Sequence, residues 1–194
     1  IMELVDAPLA PIVRIDSRGE NALMLYRDAF KSIAELSEEE MRLGGLRINP
    51  KTNIGSRVNY YNSIKLKRTD SESVREINGL PESCRIAYLR WSPDESMIAF
   101  TNTTVDGVEL WMVDIEKATA KKMTEARINA NMGAPFSWYK DNTALLVKML
   151  PKDRKALIDS DEAIPAGPTI SVSEGEKAQN RTYQDLIKNP NDEH

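Results

Sequence analysis

Residues 85–124, RIAYLRWSPDESMIAFTNTTVDGVELWMVDIEKATAKKMT, constrain the fold more than any other stretch of the chain. They read as four short strands and three turns. Strands are expected at 86–91, 96–101 and 108–114, with a weaker fourth at 120–124. Ser92-Pro93-Asp94-Glu95 is a turn, because Pro93 presets φ at its first central position and the Asp94 side chain can bond its own backbone. Val105-Asp106-Gly107 is a second turn, where glycine takes positive φ freely. Four antiparallel strands with this punctuation are the unit of a β-propeller blade. The third strand is the sharper signal. Val108, Leu110 and Met112 alternate with Trp111 and Val113, and only Glu109 interrupts the apolar run. A short run that is apolar on both faces predicts burial from both sides, as in a blade stacked between two others.

The pattern repeats. Residues 90–100, RWSPDESMIAF, align without gaps on residues 137–147, SWYKDNTALLV, 47 residues on (138 − 91). That offset is near the roughly 40–50 residues of one propeller blade. Residues 15–25, IDSRGENALML, read as a third copy. Each has the form strand, polar turn, apolar strand.

The expected architecture is therefore all-β: a partial β-propeller of about two and a half four-stranded antiparallel blades with a short helical insertion. Blade 1 is placed at about 12–78, with the insertion at 31–57. Blade 2 runs from about 85 to 125, and a third opens at about 133–150. Within the insertion, Ser37-Glu38-Glu39-Glu40 reads as a capping box, with the helix ending at Gly44-Gly45. Tyr60 and Tyr61 are expected to pack within blade 1. Residues 126–133 read as a polar crossing, and residues 151–181 as a long flexible loop. So few blades cannot close a ring of four to eight, so the expectation is a piece of a longer protein. An open ring leaves unpaired edges, which predicts self-association of the isolated piece.

Composition narrows the function classes. The 194 residues carry a net charge of −4, so nothing argues for nucleic acid as a partner. No apolar run approaches the roughly 20 residues that cross a bilayer, and Ile1-Met2-Glu3-Leu4-Val5 lacks a signal-peptide pattern. The lone Cys84 cannot form an internal disulfide and reads as a small buried apolar residue rather than a nucleophile. There is no Gly-x-Ser-x-Gly elbow and no His-Glu-x-x-His, and the only histidine is His194. Catalytic residues are accordingly none, metal ligands none, cofactor contacts none, and substrate contacts unassigned. Asp159-Ser160-Asp161-Glu162 lacks the spacing of a calcium loop and reads as a solvated acidic segment. Asn102-Thr103-Thr104 and Asn180-Arg181-Thr182 match the glycosylation sequon, a pattern too short to assign on its own.

Several segments together resemble a known family. Arg90-Trp91-Ser92-Pro93-Asp94, Ile98-Ala99-Phe100-Thr101-Asn102 and residues 109–114, ELWMVD, resemble the propeller of prolyl oligopeptidase-family serine peptidases. Leu43-Gly44-Gly45-Leu46-Arg47-Ile48-Asn49-Pro50, Gly133-Ala134-Pro135-Phe136 and Arg181-Thr182-Tyr183-Gln184-Asp185-Leu186 resemble its glutamyl-endopeptidase-like branch. The resemblance runs from about Leu4 to Glu193. It implies an N-terminal propeller portion whose partner is an α/β-hydrolase domain carrying Ser, Asp and His downstream, with peptides as substrates. It also implies an extracytoplasmic setting. None of the family's catalytic motif positions lies in this chain, so no catalytic residue carries over. The implied role is to gate oligopeptides toward the hydrolase. The alternative is a non-enzymatic binding or scaffold propeller of the TolB or WD-repeat kind, and a ligand-binding propeller stays open as a third reading.

Overall fold

A computed structural model describes residues 8–154 and 175. The acidic segment 159–162, the second sequon, the Tyr183 segment, His194 and most of the expected 151–181 loop lie outside the described residues.

The first sheet contains β1 (Ile12–Ile15), β2 (Asn21–Tyr26), β6 (Ser63–Arg68) and β7 (Val74–Glu76), hydrogen-bonded in that order. The second contains β8 (Ile86–Trp91), β9 (Met97–Thr103), β10 (Val108–Asp114) and β11 (Thr119–Lys122), again in order. Every pairing in both is antiparallel. β12 (Phe136–Trp138) and β13 (Leu145–Val147) open a third sheet. The fold is all-β, a partial propeller of two four-stranded blades and the start of another.

The two-faced third strand behaves as its sequence requires. One core layer joins Leu23, Leu25, Ile64 and Leu66 of the first blade to Ile86, Ile98, Phe100 and Val113 of the second, with Trp111 against it. A second layer joins Ala99, Val108 and Leu110 to Ile128, Ala130 and Phe136. Successive residues of β9 and β10 thus serve opposite layers, because side chains alternate across a strand. Glu109 is tolerated at 7 % exposure because Lys122 Nζ lies 2.6 Å away and Trp111 Nε1 donates to it at 2.8 Å.

The turns after the first strands share one geometry, which corrects the third repeat. Gly19 N donates to Asp16 O, Glu95 N to Ser92 O, and Asn142 N to Tyr139 O. Asp16 N, Ser92 N and Tyr139 N then close on the far strand at Asn21, Met97 and Ala144. Asp16, not Ser17, therefore corresponds to Ser92, one residue from the expected register. Gly19, Glu95 and Asn142 all take positive φ, at 73°, 59° and 60°.

The insertion also differs from expectation. The helix is α1 (Ile33–Leu36), capped by Ser32, whose side chain accepts from Glu35 N while the Glu35 carboxylate accepts from Ser32 N. Residues 37–44 are not helical. β3 (Met41–Leu43) and β4 (Leu46–Asn49) form a hairpin across Gly44-Gly45, and β5 (Ile54–Gly55) completes a three-stranded sheet. Both glycines have positive φ, as a two-residue hairpin turn requires. Nor is the crossing at 126–133 simply polar. Ile128 and Ala130 are fully buried, and Ala130 forms a parallel bridge with Ile54 of the insertion.

Candidate functional site

The first strands of the three sheets are linked edge to edge. β8 carries a bulge between Ala87 and Arg90, with Tyr88 at φ 50°. A bulky residue in that region is strained, and bulges of this kind re-aim side chains and free backbone groups. Here the Tyr88 hydroxyl donates to Ala130 O at 3.1 Å, and the Leu89 carbonyl accepts from Arg14 Nη1 at 3.3 Å. Trp138 Nε1 donates to Arg90 O at 3.5 Å. One bulged strand thus holds the sheet before it and the segment after it. The edge carries Arg14, Tyr88, Arg90 and Trp138, of which Tyr88 and Trp138 also pack against the second core layer.

At the end of the blades where the insertion sits, a cavity of about 260 Å³ is bordered by Arg27, Lys31, Tyr60, Asn62 and Arg85. Arg85 lies over the Tyr60 ring, 4.4 Å from its centroid, and pairs with Glu38 at 2.9 Å. Its backbone N–H donates to Asn102 Oδ1 at 2.9 Å. Lys31 Nζ donates to Val58 O at 3.0 Å, and Asn62 Nδ2 to Asp28 Oδ1 at 2.9 Å. Burial pushes the Tyr60 phenol above its ordinary pKa, with Thr103 and Arg85 opposing.

The insertion hairpin is fastened by Glu40. Ser56 Oγ donates to it at 2.7 Å, and Arg42 and Arg57 pair with it at 3.0 and 3.3 Å. The Ser56 hydrogen bond, working against burial and helped by Arg57 and Arg42, pulls its carboxyl from 4.5 down to about 2.

Cys84 is half-buried and donates to Pro81 O at 3.2 Å. Burial raises its thiol pKa, which disfavours the reactive thiolate. Tyr61 packs against the layer between blades 1 and 2 and Tyr60 against the next, so both are wall residues, Tyr60 with one face on the cavity. Asn102 is 2 % exposed within β9, which removes the first sequon as a modification site in the folded chain. Among the described residues no group of three or more His, Cys, Asp or Glu is placed to hold a metal ion, and no helix is long and apolar enough to cross a membrane. Sequence reasoning missed Tyr88 and Arg14, since a bulge and the contact it frees depend on neighbouring sheets.

No family model matches the chain. The probable chloroplastic glutamyl endopeptidase of Oryza sativa subsp. japonica is 30% identical over 206 residues, covering 99% of this chain and 22% of that protein. The Arabidopsis thaliana protein of the same name is 29% identical over 205 residues, covering 99% and 21%. The Pyrococcus horikoshii acylaminoacyl peptidase structure superposes on 81% of this chain and 20% of its own, with 16% identity and a TM-score of 0.44. The chain thus spans about a fifth of the length of the curated relatives it matches. With 99% of its sequence aligned, it is a propeller-like relative of part of the glutamyl-endopeptidase-like branch of prolyl oligopeptidase-family serine peptidases.

Proposed function

We propose that this chain is the substrate-gating part of a serine peptidase that hydrolyses oligopeptides, and that it supplies no catalytic group itself. The observation that carries this reading is the alignment of 99% of the chain with 22% of a glutamyl endopeptidase. The second blade, with a core layer on each of its faces, supports it, since it makes a rigid part of a wall. The partner would be an α/β-hydrolase domain bearing the nucleophile, base and acid. In this reading the first-strand edge and the insertion cavity face the passing peptide. The blade limits of 12–78, 85–125 and 133–150, and the extracytoplasmic setting, belong to the same proposal.

The test uses the full-length protein. A glutamyl-containing peptide is offered free and also as a loop of a stably folded protein. Cleavage of the free peptide alone supports gating; equal cleavage of both overturns it. Absence of any peptidase activity overturns the enzyme reading.

A further inference from the structure

β1 is an edge strand: β2 lies on one side of it and, among the described residues, no strand on the other. Its hairpin with β2 fixes which backbone groups that edge leaves open. Asp16 N donates to Asn21 O, and bonded pairs alternate with non-bonded ones along an antiparallel ladder. Arg14 with Leu23 and Ile12 with Leu25 are therefore the bonded pairs. The N–H and C=O groups of Val13 and Ile15 point away from β2, and among the described residues nothing bonds them. Val13 is 51 % exposed and Ile15 57 %. What β1 offers is thus a row of two unspent backbone donors and two unspent backbone acceptors, open to solvent.

An unpaired strand edge is a template for another chain, and proteins blunt their edges with bulges, charges or short strands. The other edges of the two complete sheets are blunted in this way. β8 is bulged, and its Leu89 and Arg90 carbonyls already accept from Arg14 and Trp138. β11 carries Lys121 and Lys122. β7 is only three residues long and carries Arg75 and Glu76. β1 has none of these devices. Ile12, Val13 and Ile15 are apolar, and its one charged side chain, Arg14, is turned to the Leu89 carbonyl. We propose that the open edge of β1 binds a substrate peptide as an added strand, with the N–H and C=O groups of Val13 and Ile15 bonding the peptide backbone. Main-chain hydrogen bonds of this kind give affinity without reading side chains. The edge therefore holds extended peptides of varied sequence and passes over folded proteins, whose backbone groups are already paired. The inference rests on the gating role proposed above for the peptide's identity as a substrate.

The experiment is fluorescence polarisation on the full-length protein with a fluorescein-labelled alanine–threonine hexapeptide blocked at both ends. Two analogues are N-methylated, one at alternate residues and one at every residue. Alternate methylation leaves one backbone edge able to donate, and full methylation leaves none. The first analogue should bind within about threefold of the parent peptide and the second about tenfold more weakly. Capture by apolar contact alone would not weaken as methyl groups are added. Val13→Pro removes one outward N–H, a change that an edge strand tolerates, and should weaken the parent peptide about tenfold. Val13→Thr keeps the backbone and stays within about twofold. If Val13→Pro does not fold, the methylation series on the unsubstituted protein decides. Probe binding that is absent, insensitive to full methylation or equal in a folded Val13→Pro overturns the proposal. So does an oligomer that Val13→Pro dissociates while no probe binds, since the edge then pairs copies of the chain. A full-length protein that binds in this pattern yet cleaves no peptide would defeat the peptidase reading alone, and cleavage without the pattern would defeat the edge alone.

Discussion

Glu95 of the second blade holds Ser17 of the first. Its carboxylate accepts from Ser17 N at 2.8 and 3.0 Å and from Ser17 Oγ at 2.7 Å. The same device recurs one blade on, where Asn142 Oδ1 accepts from Asp94 N at 3.2 Å. Glu95 and Asn142 occupy the same left-handed turn position. Each turn therefore reaches back to the turn before it.

Glu95→Ala removes three hydrogen bonds and keeps the strained φ. It is expected to destabilise the chain by about 1–2 kcal/mol in urea titrations. Glu95→Gly relieves the strain and should lose less. If the two variants melt alike and as the unsubstituted protein does, the turn contact is not stabilising.

Phe100 and Leu110 test burial on both faces. Phe100 is fully buried and stacks on Trp111 with ring centroids 6.4 Å apart, in the layer between the first two blades. Leu110 lies in the next layer. Phe100→Ala should cost about 3–5 kcal/mol and Leu110→Ala about 2–5 kcal/mol. Only the first should change Trp111 fluorescence strongly. A loss under about 1 kcal/mol at either site would mean that its face is solvated.

Gly107 has φ 148°, and a Cβ there would collide with the Ala126 carbonyl. Gly107→Ala must displace the segment leading to Ile128, which donates from its N–H to Val108 O at 3.0 Å. A loss of about 2–4 kcal/mol is expected in chemical denaturation. Unchanged stability would show that this close approach does not persist in solution.

Glu40 gives the insertion a pH dependence with a defined sign. Its folded pKa of about 2 lies below the ordinary 4.5. A depressed carboxyl stabilises the fold above its unfolded value, and the gain disappears as pH falls from about 4.5 toward 2. Amide exchange at Ser56 and Arg47 should quicken across that window and be less pH-sensitive in Glu40→Gln. Protection that ignores pH in both proteins would remove Glu40 from this role.

Cys84 should alkylate slowly with iodoacetamide at pH 7, because burial lifts its pKa. Labelling as fast as that of a free cysteine would contradict the half-buried thiol.

Much of this was legible in the sequence, for reasons that particular residues make plain. Pro93, Gly107 and the alternating apolar residues of 96–114 encode strands and turns locally, so the second blade could be read directly. The insertion could not. Ser32-x-x-Glu35 and Ser37-x-x-Glu40 match the same capping pattern, and nothing within either tetrapeptide chooses between them. The choice is tertiary: Glu40 is claimed by Ser56, Arg42 and Arg57, which leaves Glu35 to cap the helix. The one-residue shift of the repeat at 15–25 has a similar cause, since Gly19 supplies positive φ where Glu95 and Asn142 do so under constraint. The candidate site was least legible. Tyr88 looks like any strand residue until Ala130 and Arg14 are seen on either side of it.

The bridge between Ile54 and Ala130 joins residues with the whole second blade lying between them in sequence. The meander of residues 86–122 can close through near-neighbour contacts, which form quickly. The bridge cannot form until residue 130 has been made, after the whole of that meander. During synthesis the insertion therefore emerges long before its partner does, at roughly 5–20 residues per second. The joint between residues 54 and 130 is therefore the last of the insertion's contacts to become available, after the Glu38–Arg85 pair at the start of the second blade.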